Sequence, residues 1–274
     1  GGINVEKLLD EIESYWSTRT EGYSEVNHKE LAGTQKNAWL KVLTSQFPDK
    51  PKEEIRILDI GTGPGFFPVI LAEAGYHVDA VDYTEGMLEK AKENAGDLCR
   101  NIRFLRMDAQ KLDFEDNTFD VVISRNLTWN LEHPDVAYRE WVRVLKVGGR
   151  LLNFDANWYG YLYEEEQRKA YENDRKNVEN NSLDDHYLCT DIERMERIAL
   201  QVPLSKISRP QWDVKTLREA GLLGIRTDTE IWKTVWSEEE RLNYQSTPMF
   251  MVTGVKPDHF LNLPVAAGEK TEGF

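Results

Sequence analysis

Three glycines at alternating positions, Gly61, Gly63 and Gly65, follow the apolar run Ile57-Leu58-Asp59-Ile60 and precede a second apolar segment, Phe66 to Ala74. The pattern reads as a buried strand, a tight turn without side chains, and a helix. Glycine lets such a turn come against a ligand with no Cβ between them, and open α/β sheets bind their ligands at the C-terminal ends of strands. The run Val78-Asp79-Ala80-Val81-Asp82 ends in a second acid. An acid there can accept hydrogen bonds from two ribose hydroxyls, as in dinucleotide-binding folds. The spacing departs from the dinucleotide fingerprint G-x-G-x-x-G, because the third glycine comes one position early.

The string Asp-x-Gly-x-Gly-x-Gly beginning at Asp59, with the acid at Asp82, resembles the first two motifs of the class I S-adenosylmethionine (SAM)-dependent methyltransferases. Three later segments follow in that family's order: Phe104 to Ala109, Phe119 to Ser124, and Arg139 to Leu152 with its Gly148-Gly149 turn. The resemblance is close over residues 55–155 and loose over 211–256. It implies methyl transfer from SAM, with S-adenosylhomocysteine as product. It also implies a cradle of Gly61, Thr62, Gly63 and Gly65, with Asp59 holding the amino group and Asp82 the ribose. Tyr83 and Met87 would flank the adenine, Asp108 beside Ala109 would accept from its amine, and Asn126 would touch SAM or the acceptor. Arg125 is open between the SAM carboxylate, an anionic substrate and an ordinary surface role. The family's Lys-Pro-Gly-Gly turn has Val147 in place of proline here, which loosens the turn slightly.

Around this motif set the pattern alternates. Strands are expected at 55–60, 77–81, 102–106, 119–124 and 149–155, with helices at 65–74, 85–95 and 134–145 between them. Such alternation predicts a doubly wound α/β fold, a mostly parallel seven-stranded sheet with helices on both faces. A helix 213–220 and strands 224–231 and 248–255 complete it, and the resemblance makes the last strand antiparallel. The expected organisation is an N-terminal helical lid (1–50), a core (51–157), a charged helical cap inserted after strand five (158–210), the core continued (211–256) and a C-terminal arm (257–274). Within the lid, Val5, Leu8, Leu9 and Ile12 mark a helix over 5–16. A polar, aromatic stretch from Tyr15 to His28 follows it, and a second helix covers 30–47.

A small acceptor needs walls that the core does not supply, and ligand pockets are mostly apolar and aromatic. Tyr15, Trp16 and Tyr23 in the lid, Trp129 after the fourth strand and Trp158 at the start of the insert are the candidates, the last beside Tyr159, Tyr161 and Tyr163. An aromatic box suits a cationic amine or a flat ring. Methyl transfer is mainly in-line positioning with water excluded, so a base matters only if the nucleophile must lose a proton. Candidate bases are His28 and Asp155, with His133 and His186 as further histidines.

The 274 residues carry 48 acids against 34 bases, a net charge of −14. That balance argues against nucleic acid or an anionic membrane as partner, since phosphate contacts need a basic footprint. A small-molecule acceptor fits it. Mean hydropathy is −0.59, and no apolar run approaches the length of a membrane span. Cys99 and Cys189, the only two cysteines, form neither a disulfide framework nor a metal-ligand cluster, and they make a thiol mechanism unattractive. A reducing cytoplasm is the expected compartment. Gly1-Gly2 with no initiator methionine reads as a cloning remnant, and no signal-peptide pattern opens the chain. The favoured reading is a SAM-dependent methyltransferase of a small molecule with an O or N nucleophile. Methylation of a protein side chain, a non-catalytic SAM-binding or partner-binding protein, and an NAD(P)-dependent oxidoreductase stay open beside it.

Overall fold

The computed structural model describes residues 5–187 and 190–258. Cys189 and the C-terminal arm from residue 259 on lie outside the described residues. Helices α1 (Val5–Ala32) and α2 (Gln35–Ser45) lead into β1 (Arg56–Ile60), α3 (Phe66–Glu73), β2 (His77–Asp82), α4 (Glu85–Ala95) and β3 (Ile102–Arg106). Then come β4 (Phe119–Arg125), α5 (Pro134–Val144) and β5 (Leu145–Asp155). Two longer helices, α6 (Glu165–Asn180) and α7 (Ile192–Gln201), separate these from α8 (Gln211–Glu219) and β6 (Leu223–Asp228). Short helices α9 (Trp232–Val235) and α10 (Glu238–Asn243) precede β7 (Phe250–Val255).

The seven strands form one sheet in the order β3-β2-β1-β4-β5-β7-β6. The pairs are parallel except the two made by β7, which enters antiparallel between β5 and β6. Both faces are covered, so alternate strand residues go to different cores. Leu58, Val122 and Leu151 face a core with Tyr138 and Trp141 of α5 and Leu217 of α8. Ile57, Val121, Ile123 and Leu152 face the other, with Trp39 and Leu43 of α2 and Phe67 and Ile70 of α3. Each such fully buried side chain contributes about 1.5–3 kcal/mol. The chain winds outward from β1 to β2 and β3, then returns to β4 on the other side of β1. That makes the β1/β4 boundary the switch point where a ligand crevice opens.

Three elements differ from the sequence expectation. The stretch from Tyr15 to His28, expected outside the helix, is helical, and α1 runs unbroken through Ala32. Its buried residues change from Leu8, Ile12 and Tyr15 to Thr20, Ser24 and Glu30. The apolar period therefore fades while the helix continues. Strand β5 begins at Leu145 instead of 149, with a register shift against β4 that takes up the Gly148 turn at φ +80°. Strand β6 stops at Asp228, and α9 and α10 fill the segment that had no assigned element. The charged helices after β5 are present, and Asp191 caps α7 by accepting from Arg194 N. Leu8, Ile12 and Tyr15 of α1 pack with Met195, Ile198 and Ala199 of α7 and with Trp129, which joins the two helices above the strand ends.

Candidate functional site

The turn after β1 is built from left-handed glycines: φ is +71° at Gly61, +55° at Gly63 and +89° at Gly65. Two of them allow close approach. A Cβ on Gly61 would lie 2.9 Å from Leu127 Cδ2, and one on Gly65 would lie 3.0 Å from Ala91 Cβ. A Cβ on Gly63 would meet nothing within 4 Å, because it would point into open space. That space is a cavity of about 400 Å³ lined by Gly61, Thr62, Gly63, Asp59, Asp82, Met87 and Asn126.

Asp59 is buried and accepts from Thr62 Oγ1 at 2.6 Å, and burial pushes its carboxyl up to about 7. Asp82 accepts from Gly63 N at 2.8 Å and from Thr84 N at 2.9 Å, so it holds the turn to the end of β2. Burial raises its pKa against the pull of these hydrogen bonds. Beside Asp82 lies a smaller cavity of about 60 Å³ with Tyr83, Met107, Asp108, Ala109 and Leu131 in its wall. Leu9, Ile12 and Trp16 of α1 close it from above. Asp108 accepts from Gln110 N at 2.9 Å within its own turn. Asn126 takes a left-handed φ of +57° at the end of β4, its N–H donates to Phe154 O, and its Oδ1 is buried with no hydrogen-bond partner.

Arg125 is not a free cation. It pairs with Glu30 of α1 through two contacts, at 2.9 and 3.3 Å, and lies over the rings of Trp39, Phe66 and Phe67 at 4.8–5.1 Å. The pair ties the end of α1 to the end of β4 across the cavity wall. Tyr15, Trp16, Tyr23, Trp129 and Trp158, the sequence candidates for an acceptor pocket, line the same 400 Å³ cavity as the glycine turn.

The two candidate bases are placed differently from the expectation. His28 is exposed on α1, with Nε2 2.7 Å from Asn94 Oδ1, and is not in the cavity lining. Asp155 is fully buried beneath it. It accepts from Thr128 Oγ1 (2.5 Å), Trp129 N (2.9 Å), Trp158 Nε1 (3.1 Å) and Arg209 Nη1 (2.5 Å). With four donors on it, one of them a guanidinium, its role here is to fix the two tryptophans rather than to take a proton. Arg209 also binds Asp213, which accepts from the Tyr138 hydroxyl. His133 is a half-exposed residue at the N-cap of α5, next to Glu132. Cys99 is exposed beyond α4.

Sequence reasoning missed the far wall of the cavity. Trp236 just after α9, Glu239 of α10 and Tyr244 just after it line the cavity with His186 and Tyr187, and the rings of Trp236 and Tyr244 meet Trp158. The available signal was the aromatic spacing Trp232, Trp236, Tyr244 in a segment left unassigned.

Residues 58–153 match a family described as a methyltransferase domain. Among curated proteins, the chain is 31% identical over 149 residues to a demethylmenaquinone methyltransferase of Renibacterium salmoninarum, covering 54% of this chain and 60% of that protein. It is 41% identical over 103 residues to a ubiquinone/menaquinone biosynthesis C-methyltransferase of Pseudomonas entomophila, covering 35% and 40%. The chain thus spans about half the length of the curated relatives it matches. Among solved structures, a Methanococcus maripaludis protein proposed to be an S-adenosyl-L-methionine-dependent methyltransferase superposes with TM-score 0.58 at 20% identity, over 88% of this chain and 94% of that one. Phosphoethanolamine N-methyltransferase 2 of Haemonchus contortus, solved with S-adenosyl-L-methionine, gives TM-score 0.58 at 19% identity, over 81% and 53%. At these identities the superpositions establish the fold.

Proposed function

We propose that this chain, whose core is a class I SAM-dependent methyltransferase domain, transfers a methyl group from SAM to a small-molecule acceptor held in the aromatic cavity. The observation that carries the reading is the glycine turn opening its bare Gly63 face onto a cavity that also holds a buried, unpartnered acceptor, Asn126 Oδ1. A buried polar atom without a partner costs about 1–3 kcal/mol, which a ligand donor would recover.

The residues present fit the cofactor. SAM supplies a methyl group on a sulfonium that is already a good leaving group. Gly61, Thr62, Gly63 and Gly65 leave room for it against main chain, and Asp82 has lone pairs beyond its two backbone donors for the ribose hydroxyls. Tyr83, Asp108 and Ala109, in the smaller cavity, suit the adenine, and Met87 would flank it from the larger one. Asp59 and Asn126, which line the larger cavity, would accept from the amino group. Helix α1 and the helices after β5 then act as lid and cap, supplying Tyr15, Trp16, Tyr23, Trp129 and Trp158 to exclude water and orient the acceptor.

The nucleophile is an O or N atom in our reading, and the quinone C-methyltransferases among the relatives add carbon as a third outcome of the test. Calorimetry with SAM, S-adenosylhomocysteine and NAD tests the cofactor. Binding of NAD without SAM would overturn the assignment in favour of an oxidoreductase. Incubating the protein with methyl-labelled SAM and a cell extract, followed by mass spectrometry, identifies the acceptor. Label found on protein instead of the small-molecule fraction would favour the side-chain reading.

A further inference from the structure

Among the described histidines, at 28, 77, 133 and 186, only His186 lines the large cavity. It lies in the segment between α6 and α7, and both ring nitrogens are engaged by the segment before β7. Nδ1 is 2.8 Å from the Tyr244 hydroxyl and Nε2 is 3.1 Å from Glu239 Oε1. An ionised carboxylate only accepts, so Nε2 carries the hydrogen, and Nδ1 is left to accept from Tyr244. Tyr244 stands edge-on to Trp158 with ring centres 5.1 Å apart and 5.5 Å from the ring of Trp236, and it lines the same cavity as Gly63 and Asn126. Burial lifts its hydroxyl well above the ordinary tyrosine range, so it is neutral and loses its proton only to a partner.

The imidazole is not needed to fasten this segment. Asn243 already does so, accepting from His186 N at 3.0 Å and donating to Asp184 O and Glu239 O, each at 3.0 Å. The ordered sequence carboxylate, imidazole, hydroxyl is the arrangement by which a buried hydroxyl is made basic.

We propose that Glu239, His186 and Tyr244 form a relay that takes up the proton the acceptor releases during methyl transfer, which rests on the methyltransferase reading above. The acceptor it serves carries a proton on its nucleophile: a hydroxyl, an amine or a phenol. The acceptor's lone pair forms the bond to the methyl carbon, and the sulfur keeps the pair of the bond that breaks. The acceptor's proton passes to Tyr244 Oη, the tyrosine's own proton passes to His186 Nδ1, and Glu239 stabilises the resulting imidazolium. Tyr244 is the catalytic residue, and His186 and Glu239 act through it.

The groups that set its pH response are named by their contacts. Tyr187, Tyr23, Glu240 and Arg175 act on Tyr244. Asp184 and Asp185 immediately precede His186, and Arg175 pairs with Asp185 at 2.5 Å.

The test measures label transfer from methyl-labelled SAM to the small-molecule fraction of a cell extract between pH 6 and 9, with S-adenosylhomocysteine affinity and melting temperature measured on each variant. Tyr244→Phe keeps the ring wall and removes the hydroxyl. Its rate at pH 7 falls at least tenfold, and the deficit shrinks as pH rises and the acceptor ionises unaided. Glu239→Gln lowers the rate and Glu239→Asp recovers part of it, while cofactor affinity and melting temperature stay at wild-type values. A Tyr244→Phe protein with the wild-type rate and pH profile overturns the relay. Failure of the wild-type protein to bind S-adenosylhomocysteine overturns the methyltransferase reading and the relay with it.

Discussion

Arg209 places Nη1 2.5 Å from Asp155 Oδ2, with both side chains fully buried under the cavity floor. The same guanidinium holds Asp213 at 2.8 Å, so one cation serves two carboxylates. Asp155 in turn fixes Trp129 through its backbone and Trp158 through its indole. The wall that would meet an acceptor is thus set by an ion cluster that the acceptor never touches. Arg209→Met should leave two buried carboxylates without their cation, costing about 3–5 kcal/mol. Urea unfolding checks it, and a loss under about 1 kcal/mol would show that the cluster is not holding the floor.

Asp82 is expected to matter for the ligand more than for the fold. On the proposed reading, Asp82→Ala would remove two ribose hydrogen bonds to a charged acceptor, about 1.5–3 kcal/mol each at most. SAM affinity by calorimetry should fall at least tenfold (about 1.4 kcal/mol). It also frees Gly63 N and Thr84 N, so the melting temperature must be followed alongside. An unchanged dissociation constant would place the ribose elsewhere.

Gly63→Val should abolish cofactor binding. The position has φ +55°, which a β-branched residue adopts at a cost of roughly 1–2 kcal/mol, and its side chain would project into the open cavity. A folded variant that binds SAM normally would mean that the turn does not touch the ligand.

Asp59 gives the ligand-free protein a pH dependence of known sign. Its folded carboxyl sits at about 7 against an ordinary 3.8, so the fold favours the protonated form. Its contribution to stability is complete below pH 3.8 and is lost as the pH rises through about 7, at most roughly 1.4 kcal/mol per pH unit. Glu30 and Asp82 are raised by burial too and act in the same direction. Unfolding measured at pH 5 and pH 8 should show the wild type losing stability and Asp59→Asn losing less. Equal losses would remove Asp59 from the account.

What the sequence by itself determined is what short-range pattern can carry. The apolar run, the three glycines and the following helix lie within 20 residues, and their conformations are imposed locally by missing side chains and by period. The β–α alternation is likewise a succession of local segments, and the class of the sheet was legible for that reason, whereas the order β3-β2-β1-β4-β5-β7-β6 is a tertiary arrangement. Tyr15, Trp16, Tyr23, Trp129 and Trp158, chosen from the sequence for their type and segment, line one cavity.

Only the tertiary structure decided which polar and charged groups meet. Glu30 and Arg125, Asp155 and Arg209, and His186 and Tyr244 are 95, 54 and 58 residues apart, and no period or spacing links them. Their pairing follows from the fold: the β1/β4 switch point, the helices packed above it and the late entry of β7 bring these separate segments to one rim. Burial there makes an unpaired charge too costly to leave. The same reasoning explains the continuous α1. Once its later turns face the polar rim of a cavity rather than an apolar core, hydrophobic period no longer marks them as helix, although their backbone hydrogen bonds still require it.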